Sequence, residues 1–300
     1  MIEAKSLVKK FEDYPALNGL TTTIEPGWIY GLVGTNGSGK STFMRTIAGV
    51  YQPDEGSLQI QGADVFENIH VKDKVLFVPD DMFFLPQSTL ADMAALYQGI
   101  YSGWSQDKYQ ELVKRFPISD KKKINTFSKG MKRQAAIILA IAAQPDYLLL
   151  DEAFDGLDPV IRVAVRKLIA DEVASRGMSV LIASHNLREL EDFCDHIGIL
   201  HQGKLLLERE LDDLKGEFCK VQAAFKPMVD IDTLKEKLEI LSIEMNGSIV
   251  NLIVRGSREE VLEKINHFNP LIADSMPLSL EEVFIYEMEA VGYDYNNIIF

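Results

Sequence analysis

The chain has 300 residues, 47% of them hydrophobic and 25% charged, which leaves room for one large α/β domain with a small appendage or for two modest domains. Its formal charge of −14, from 31 basic and 45 acidic residues, argues against non-specific binding to nucleic acid or to an anionic lipid surface, since both need an excess of Lys and Arg. Two cysteines, Cys194 and Cys219, with no motif around either, exclude a disulfide framework and a Cys-rich metal site and fit a reducing cytosol.

The N-terminus, Met1-Ile2-Glu3-Ala4-Lys5, lacks a basic-then-apolar signal pattern. Apolar runs such as Ala135 to Ala143 fall short of the ~20 residues that span a bilayer. A soluble chain without direct membrane insertion is expected, with any membrane role exercised through a partner. In chain order, Ile2 to Ile24 suggests short strands with turns, one at Asp13-Tyr14-Pro15. Trp28 to Val33 is an apolar strand that runs into a glycine-rich turn and then a helix, Ser41 to Ala48. Gly56 to Gln61 and Lys74 to Val78 suggest further strands, and Leu90 to Lys114 has helical spacing. A helix over Met131 to Ala143 stops before Pro145, and the compact apolar runs Tyr147 to Leu150 and Ser179 to Ala183 flank a helix from Val160 to Ser175. Strands alternating with helices predict a mostly parallel sheet covered on both faces.

The character changes near Lys215-Gly216. A strand over Phe218 to Phe225, a helix over Ile231 to Leu238, two strands flanking Asn246-Gly247, a helix opened by Ser257-Arg258-Glu259-Glu260 and a short strand at Leu271 to Ala273 follow in turn. That order is the one of a small ferredoxin-like α+β unit. A terminal helix starts at Ser279-Leu280-Glu281-Glu282 and is expected to run to Glu289. The expected division is 1–215 for the larger domain, with a helical subdomain over about 82–145, and 216–300 for the smaller one.

Gly34-Thr35-Asn36-Gly37-Ser38-Gly39-Lys40-Ser41-Thr42 satisfies the P-loop pattern, and a strand precedes it while a helix follows. Its glycines let backbone N–H groups face phosphates at the positive end of a helix dipole. Lys40 adds a charge on the β- and γ-phosphates, and the Ser41 hydroxyl is placed to ligate Mg²⁺. Tyr147 to Leu150 delivers Asp151 and Glu152 at the carboxyl end of a strand, where α/β sheets bind ligands. Asp151 suits the Mg²⁺ shell and Glu152 the polarisation of an attacking water. ATP and Mg²⁺ are therefore the expected cofactors.

Phe127-Ser128-Lys129-Gly130-Met131 precedes a helix just upstream of that strand, Gly156-Leu157-Asp158 follows the carboxylates, and Ser184-His185 follows the next strand. With the P-loop, these residues make the chain resemble the ABC ATPase family across roughly Ile2 to Leu214. The resemblance implies a P-loop fold of ABC type with a mixed sheet and an inserted helical subdomain. It implies that Ser128, Lys129 and Gly130 form the signature that covers ATP held by a second subunit, homologous or identical. It further implies that Asp158 belongs to the D-loop, that His185 senses the γ-phosphate beside Glu152, and that an aromatic near the start stacks on adenine. Phe11 has the right spacing for that aromatic, Tyr14 competes with it, and Phe11 as a plain edge-strand aromatic is the third option. A separate membrane permease, met through the segment between Asp80 and Ser128 on the cytoplasmic side, completes the expectation.

Two departures stand out. Asp80, followed by Asp81, occupies the position where the family usually has Gln as a Mg²⁺ or water ligand. Lys129 and Met131 replace the usual Gly and Gln, and Ser-Lys-Gly-Met followed by Lys132-Arg133 resembles ATPase subunits of ABC-2-type exporters of drugs or antibiotics. A soluble ABC ATPase of a non-transport assembly is the competing expectation.

Overall fold

The structure, a computed structural model, describes residues 1–227, 229–276 and 278–290; the expected continuation of the smaller domain over 291–300 lies outside the described residues. The chain forms two compact units, Met1–Asn186 with Phe193–Glu208, and Leu187–Asp192 with the residues from Arg209 onward.

In the first unit β1 (Ile2–Phe11) and β2 (Tyr14–Ile24) form a long antiparallel ribbon. The short strands suggested by the sequence merge because the irregularity at Ser6 is a bulge, with positive φ and its N–H on Thr21 Oγ1, rather than a turn. The chain reverses at Glu12-Asp13, so that Tyr14-Pro15 opens a strand instead of forming the turn. β3 (Ile29–Val33) follows, then α1 (Lys40–Ile47), β4 (Glu55–Ile60), β5 (Ala63–Asp64), α2 (Ile69–Lys72) and β6 (Val75–Val78). After α3 (Leu90–Ile100), α4 (Gln106–Arg115) and α5 (Lys129–Ala142) come β7 (Tyr147–Asp151), α6 (Pro159–Arg176) and β8 (Ser179–Ala183). Then follow the short α7 (Leu187–Glu191), which belongs to the second unit, and β9 (His196–His201) and β10 (Lys204–Glu210), the last two residues of which also fall in the second unit.

Two sheets result, with strand orders β2-β1-β4-β5 and β10-β9-β3-β8-β7-β6. The first is antiparallel, and in the second β9, β3, β8, β7 and β6 run parallel. Every residue of β3, β7 and β8 is buried, as a parallel sheet covered on both faces requires. The sheets share one apolar core that runs from Ile2, Leu7 and Leu20 through Leu32 and Phe43 to Leu149 and Leu181.

The helical stretch read over Leu90 to Lys114 is two helices. α3 opens on a capping box between Thr89 and Asp92. It ends at Tyr101, after which the Ser102 N–H and hydroxyl bind the Asp73 carboxylate. Ser105 then caps α4 through the Lys108 N–H. These local side-chain bonds compete with the helix ladder and win at the break.

In the second unit β11 (Phe218–Ala224), α9 (Ile231–Lys237), β12 (Glu239–Asn246), β13 (Ile249–Arg255), α10 (Arg258–Asn266) and β14 (Ile272–Met276) follow α8 (Leu211–Gly216). The sheet order β12-β13-β11-β14, antiparallel at each pairing, is that of a ferredoxin-like fold. Val250, Leu252 and Val254 point to one face and join Val221, Phe225, Leu234 and Ile265 in its core. The hairpin turn is shifted by one residue from its expected place: Asn246 pairs with Ile249, and Gly247-Ser248 are the loop. Only Gly247 of the two has positive φ, the arrangement of a turn that wants Gly first. α11 (Leu280–Ala290) begins with a second capping box, Ser279 with Glu282. Among the described residues no helix is long and apolar enough to cross a membrane.

Candidate nucleotide site

The buried strand β3 ends at Val33, and the next six residues turn the chain into α1. Gly37 and Gly39 take φ of 78° and 111°, a region that L side chains rarely enter. A Cβ on Gly39 would also lie 2.5 Å from the Ala16 carbonyl oxygen, so the loop can pass β2 only without one. The loop is tied at its middle as well. Ser38 N–H donates to Thr35 O (3.1 Å), Gly203 N–H donates to Ser38 O (2.9 Å), and Asn18 N–H donates to Gly203 O (2.9 Å). The β9–β10 turn therefore braces the loop against β2.

Lys40 starts α1 and folds back so that its ammonium donates to the carbonyls of Gly34 (2.6 Å) and Thr35 (3.2 Å). Burial lowers its pKa, opposed by the charges of Glu152 and Asp151. Across the cleft, β7 ends at Asp151. Burial raises the Asp151 pKa, opposed by a hydrogen bond from the Ser41 hydroxyl and by the charges of Arg45 and Lys40. Glu152 follows with φ 51°, left-handed backbone that a non-glycine residue holds only where its surroundings impose it. Its N–H donates to Ala183 O (2.9 Å), fixing it to the end of β8. Its carboxylate meets His185 Nδ1 at 2.9 Å. Burial raises the Glu152 pKa as well, with His185 opposing.

One cleft of about 500 Å³ gathers Phe11, Tyr14, Asn36, Gly37, Ser38, Gly39, Lys40, Ser41, Thr42, Asp80, Asp151, Glu152 and His185. Gly34 and Thr35 do not line it and act through the carbonyls that hold Lys40. Phe11 and Tyr14 both stand exposed at its rim. Tyr51 meets the Phe11 ring edge-on, and the Tyr14 hydroxyl reaches the Gly37 carbonyl at 3.4 Å.

The residues expected to form the signature are elsewhere. Ser128 is the N-cap of α5, accepting from the Met131 N–H (3.2 Å), and neither it nor Lys129 nor Gly130 lines the cleft. A Cβ on Gly130 would lie 2.5 Å from Gly156 O, so the segments expected to be the signature and the D-loop touch backbone to backbone in the same chain. Asp158 caps α6, accepting from the N–H groups of Val160 and Ile161, with Pro159 at the first helical position.

Asp155 lines the cleft too, with its carboxylate within 4.8 Å of those of Glu152 and of the His185 ring. Asp155 was not among the residues expected from the sequence, although it stands only three residues after Glu152. Nor was Arg133, whose guanidinium holds Asp80 Oδ1 at 2.5 Å. Arg133 shares a helical face with Ile137 and Ala140, both buried. A cation on that face needs a counter-charge, and that was the available signal.

The comparisons agree with the geometry. A family profile described as "ABC transporter" matches residues 17–155. The chain is similar to the ABC transporter ATP-binding protein YtrB of Bacillus subtilis (strain 168), 34% identical over 285 residues, 95% of this chain and 97% of that one. It is also similar to the bacitracin transport ATP-binding protein BcrA of Bacillus licheniformis, 33% identical over 219 residues, 72% of this chain and 71% of that one. Among solved structures, an ATP-binding subunit of an ABC transporter superposes with a TM-score of 0.67 at 28% identity, covering 72% of this chain and 92% of that chain.

Proposed function

Because the chain belongs to the ABC transporter ATP-binding proteins, we propose that it is the ATP-hydrolysing subunit of an exporter, driving a separate membrane permease by ATP-dependent dimerisation. The observation that carries this reading is the meeting of Lys40, Ser41, Asp151, Glu152 and His185 in one cleft. The backbone nest of 36–39 and the first turn of α1 receive the phosphates, and Lys40 leaves its carbonyl partners for the β- and γ-oxygens. The adenine lies against Phe11, with Tyr14 as the second aromatic at that rim.

Ser41, Asp151 and Asp80 are hard oxygen donors on one cleft, and the Ser41 hydroxyl already faces the Asp151 carboxylate. That donor set fits Mg²⁺, which prefers oxygen ligands and keeps several waters. When bound, Mg²⁺ supplies charge neutralisation on the transferred phosphoryl group. Glu152 takes the proton of the attacking water, a task favoured by its raised pKa. His185 holds the Glu152 carboxylate in place and turns toward the γ-phosphate.

Ser128, Lys129 and Gly130 stand at the N-terminus of α5, away from this cleft, which supports their action on ATP held by a second copy or a related subunit. Closure then depends on the γ-phosphate, because it is the group that distinguishes the two states. The ferredoxin-like module of about 216–300, beyond an ATPase domain of 1–215 with its helical subdomain at about 82–145, carries no phosphate loop in its sequence. Its assigned work is contact, tuning dimerisation or partner choice. The subunit sits on the cytoplasmic face of the membrane through its permease. The export direction rests on the Ser-Lys-Gly-Met signature and on similarity to a protein named for bacitracin transport. Isolation of the tagged chain from detergent-solubilised membranes tests the reading. An integral membrane protein that stays with it supports a transporter. A chain recovered only in non-transport assemblies would replace that reading with the soluble alternative.

A further inference from the structure

We propose that Arg133 is a positioning residue that competes with the divalent cation for the Asp80 carboxylate, so that cation loading is coupled to the first turns of α5. The proposal rests on the nucleotide-site reading above and explains the residue at position 80, where the family pattern has an uncharged amide.

Arg133 is 0% exposed. Its Nη2 lies 2.5 Å from Asp80 Oδ1, its Nη1 is 3.5 Å from the Pro79 carbonyl oxygen, and its buried Nε has no hydrogen-bond partner among the described residues. A guanidinium stays charged at any working pH and cannot be silenced by losing a proton. Among the described residues its one ion-pair partner is the Asp80 carboxylate. That side chain is 56% exposed and lines the same cleft as Ser41 and Asp151. The carboxylate thus stands between a buried fixed cation on one side and the cation-binding edge of the cleft on the other.

One carboxylate cannot give its full charge to both. In the arrangement seen here Asp80 is committed to Arg133, which neutralises the charge that the substitution of aspartate for an amide brings near the triphosphate. A cation that engages Asp80 weakens the Arg133 contact and leaves the guanidinium, among the described residues, with the long Pro79 bond alone. A buried cation deprived of its partner has to be re-solvated or re-paired. Arg133 lies in the second turn of α5, and Ser128 caps that helix. The strain is thus delivered to the segment that carries the signature residues.

The test uses the full chain and equilibrium ATP binding measured against free Mg²⁺, with an EDTA reference. Arg133→Gln is expected to lower the half-saturating Mg²⁺ concentration by about twofold to fivefold, the range of a partly exposed ion pair. Asp80→Asn combined with Arg133→Gln is expected to show no shift beyond that of Asp80→Asn alone. An unchanged Mg²⁺ midpoint, or the same shift in both backgrounds, overturns the competition, since a merely structural role would act whatever stands at position 80. Should Arg133→Gln not fold, hydrogen exchange in the parent decides. Adding Mg²⁺ to the ATP-bound chain should raise exchange over residues 128–134, and Asp80→Asn should abolish that rise. Exchange that ignores Mg²⁺ there refutes the coupling. A parent chain that binds no ATP refutes the nucleotide-site reading itself, whereas failure of the competition alone leaves ATP binding intact.

Discussion

Gly39→Ala, set beside Gly37→Ala, separates two demands that the phosphate loop makes on its glycines. Both residues hold positive φ, but a Cβ at 37 would meet nothing within 4 Å. At 39 it would lie 2.5 Å from Ala16 O, 3.3 Å from Leu17 Cδ2 and 3.4 Å from Leu200 Cδ2. The first neighbour is backbone and cannot rotate away. The left-handed conformation costs a non-glycine residue about 1–2 kcal/mol, and this is all that Gly37→Ala should lose. Gly39→Ala adds an overpacking cost of about 1–3 kcal/mol, so its total is about 2–5 kcal/mol. Part of that cost should appear as displacement of the loop, because moving residue 39 relieves the contact and misplaces Lys40 and Ser41 immediately after it. The assay is a thermal melt of each variant combined with ATP titration by intrinsic fluorescence or calorimetry. Gly37→Ala should retain measurable ATP affinity with a small fall in melting temperature. Gly39→Ala should lose more stability and more affinity. Equal losses in the two variants would refute the steric part of the reasoning, and a Gly39→Ala chain indistinguishable from the parent would refute all of it.

Two further outcomes follow from the same geometry. Mg²⁺ with ATP at a hundred times its dissociation constant should stabilise the parent by about 2.7 kcal/mol, and Lys40→Met should lose most of this shift in a thermal melt because the phosphates lose their buried cation. If Lys40→Met is stabilised by nucleotide as strongly as the parent, the loop assignment is wrong. A chain ending near Gly216 should keep its ATP affinity per site while its dimerisation or its association with the permease changes, read by light scattering and co-isolation. Unaltered assembly and transport would remove the ferredoxin-like module from any regulatory role.

Much of the cleft was legible because phosphate binding dictates backbone as well as side chains. Gly34 to Thr42 announces a glycine-rich phosphate loop between a strand and a helix, and an apolar strand ending in Asp151-Glu152 marks the opposite wall. The ferredoxin-like order of the second unit was equally readable, since alternation at Val250, Leu252 and Val254 and a helix cap at Ser257 are local signals. What could not be read depends on residues distant in sequence. Arg133 and Asp80 are 53 positions apart, and nothing local to either names the other. Gly203 braces the loop through Ser38 and Asn18, yet in the sequence it is one glycine of an ordinary turn. The break between α3 and α4 was hidden because Ser102 is drawn to Asp73, 29 positions away. The one-residue shift of the hairpin turn was hidden because Asn246 and Gly247 both tolerate positive φ, and register across the whole ladder decided between them.

The central claim is that Glu152 activates water for hydrolysis of ATP held in this cleft, and that the ATP-bound state is the closed dimer. The measurement that tests it most directly is ATP turnover and oligomeric state of Glu152→Gln. The substitution keeps the shape of the side chain and its place beside His185, 2.9 Å from the present carboxylate oxygen, while removing the base. Turnover should fall by about 10²-fold or more, ATP binding should persist, and light scattering should detect a long-lived dimer with ATP but not with ADP. Turnover within a few-fold of the parent, or a chain that stays monomeric with ATP bound, would contradict the account.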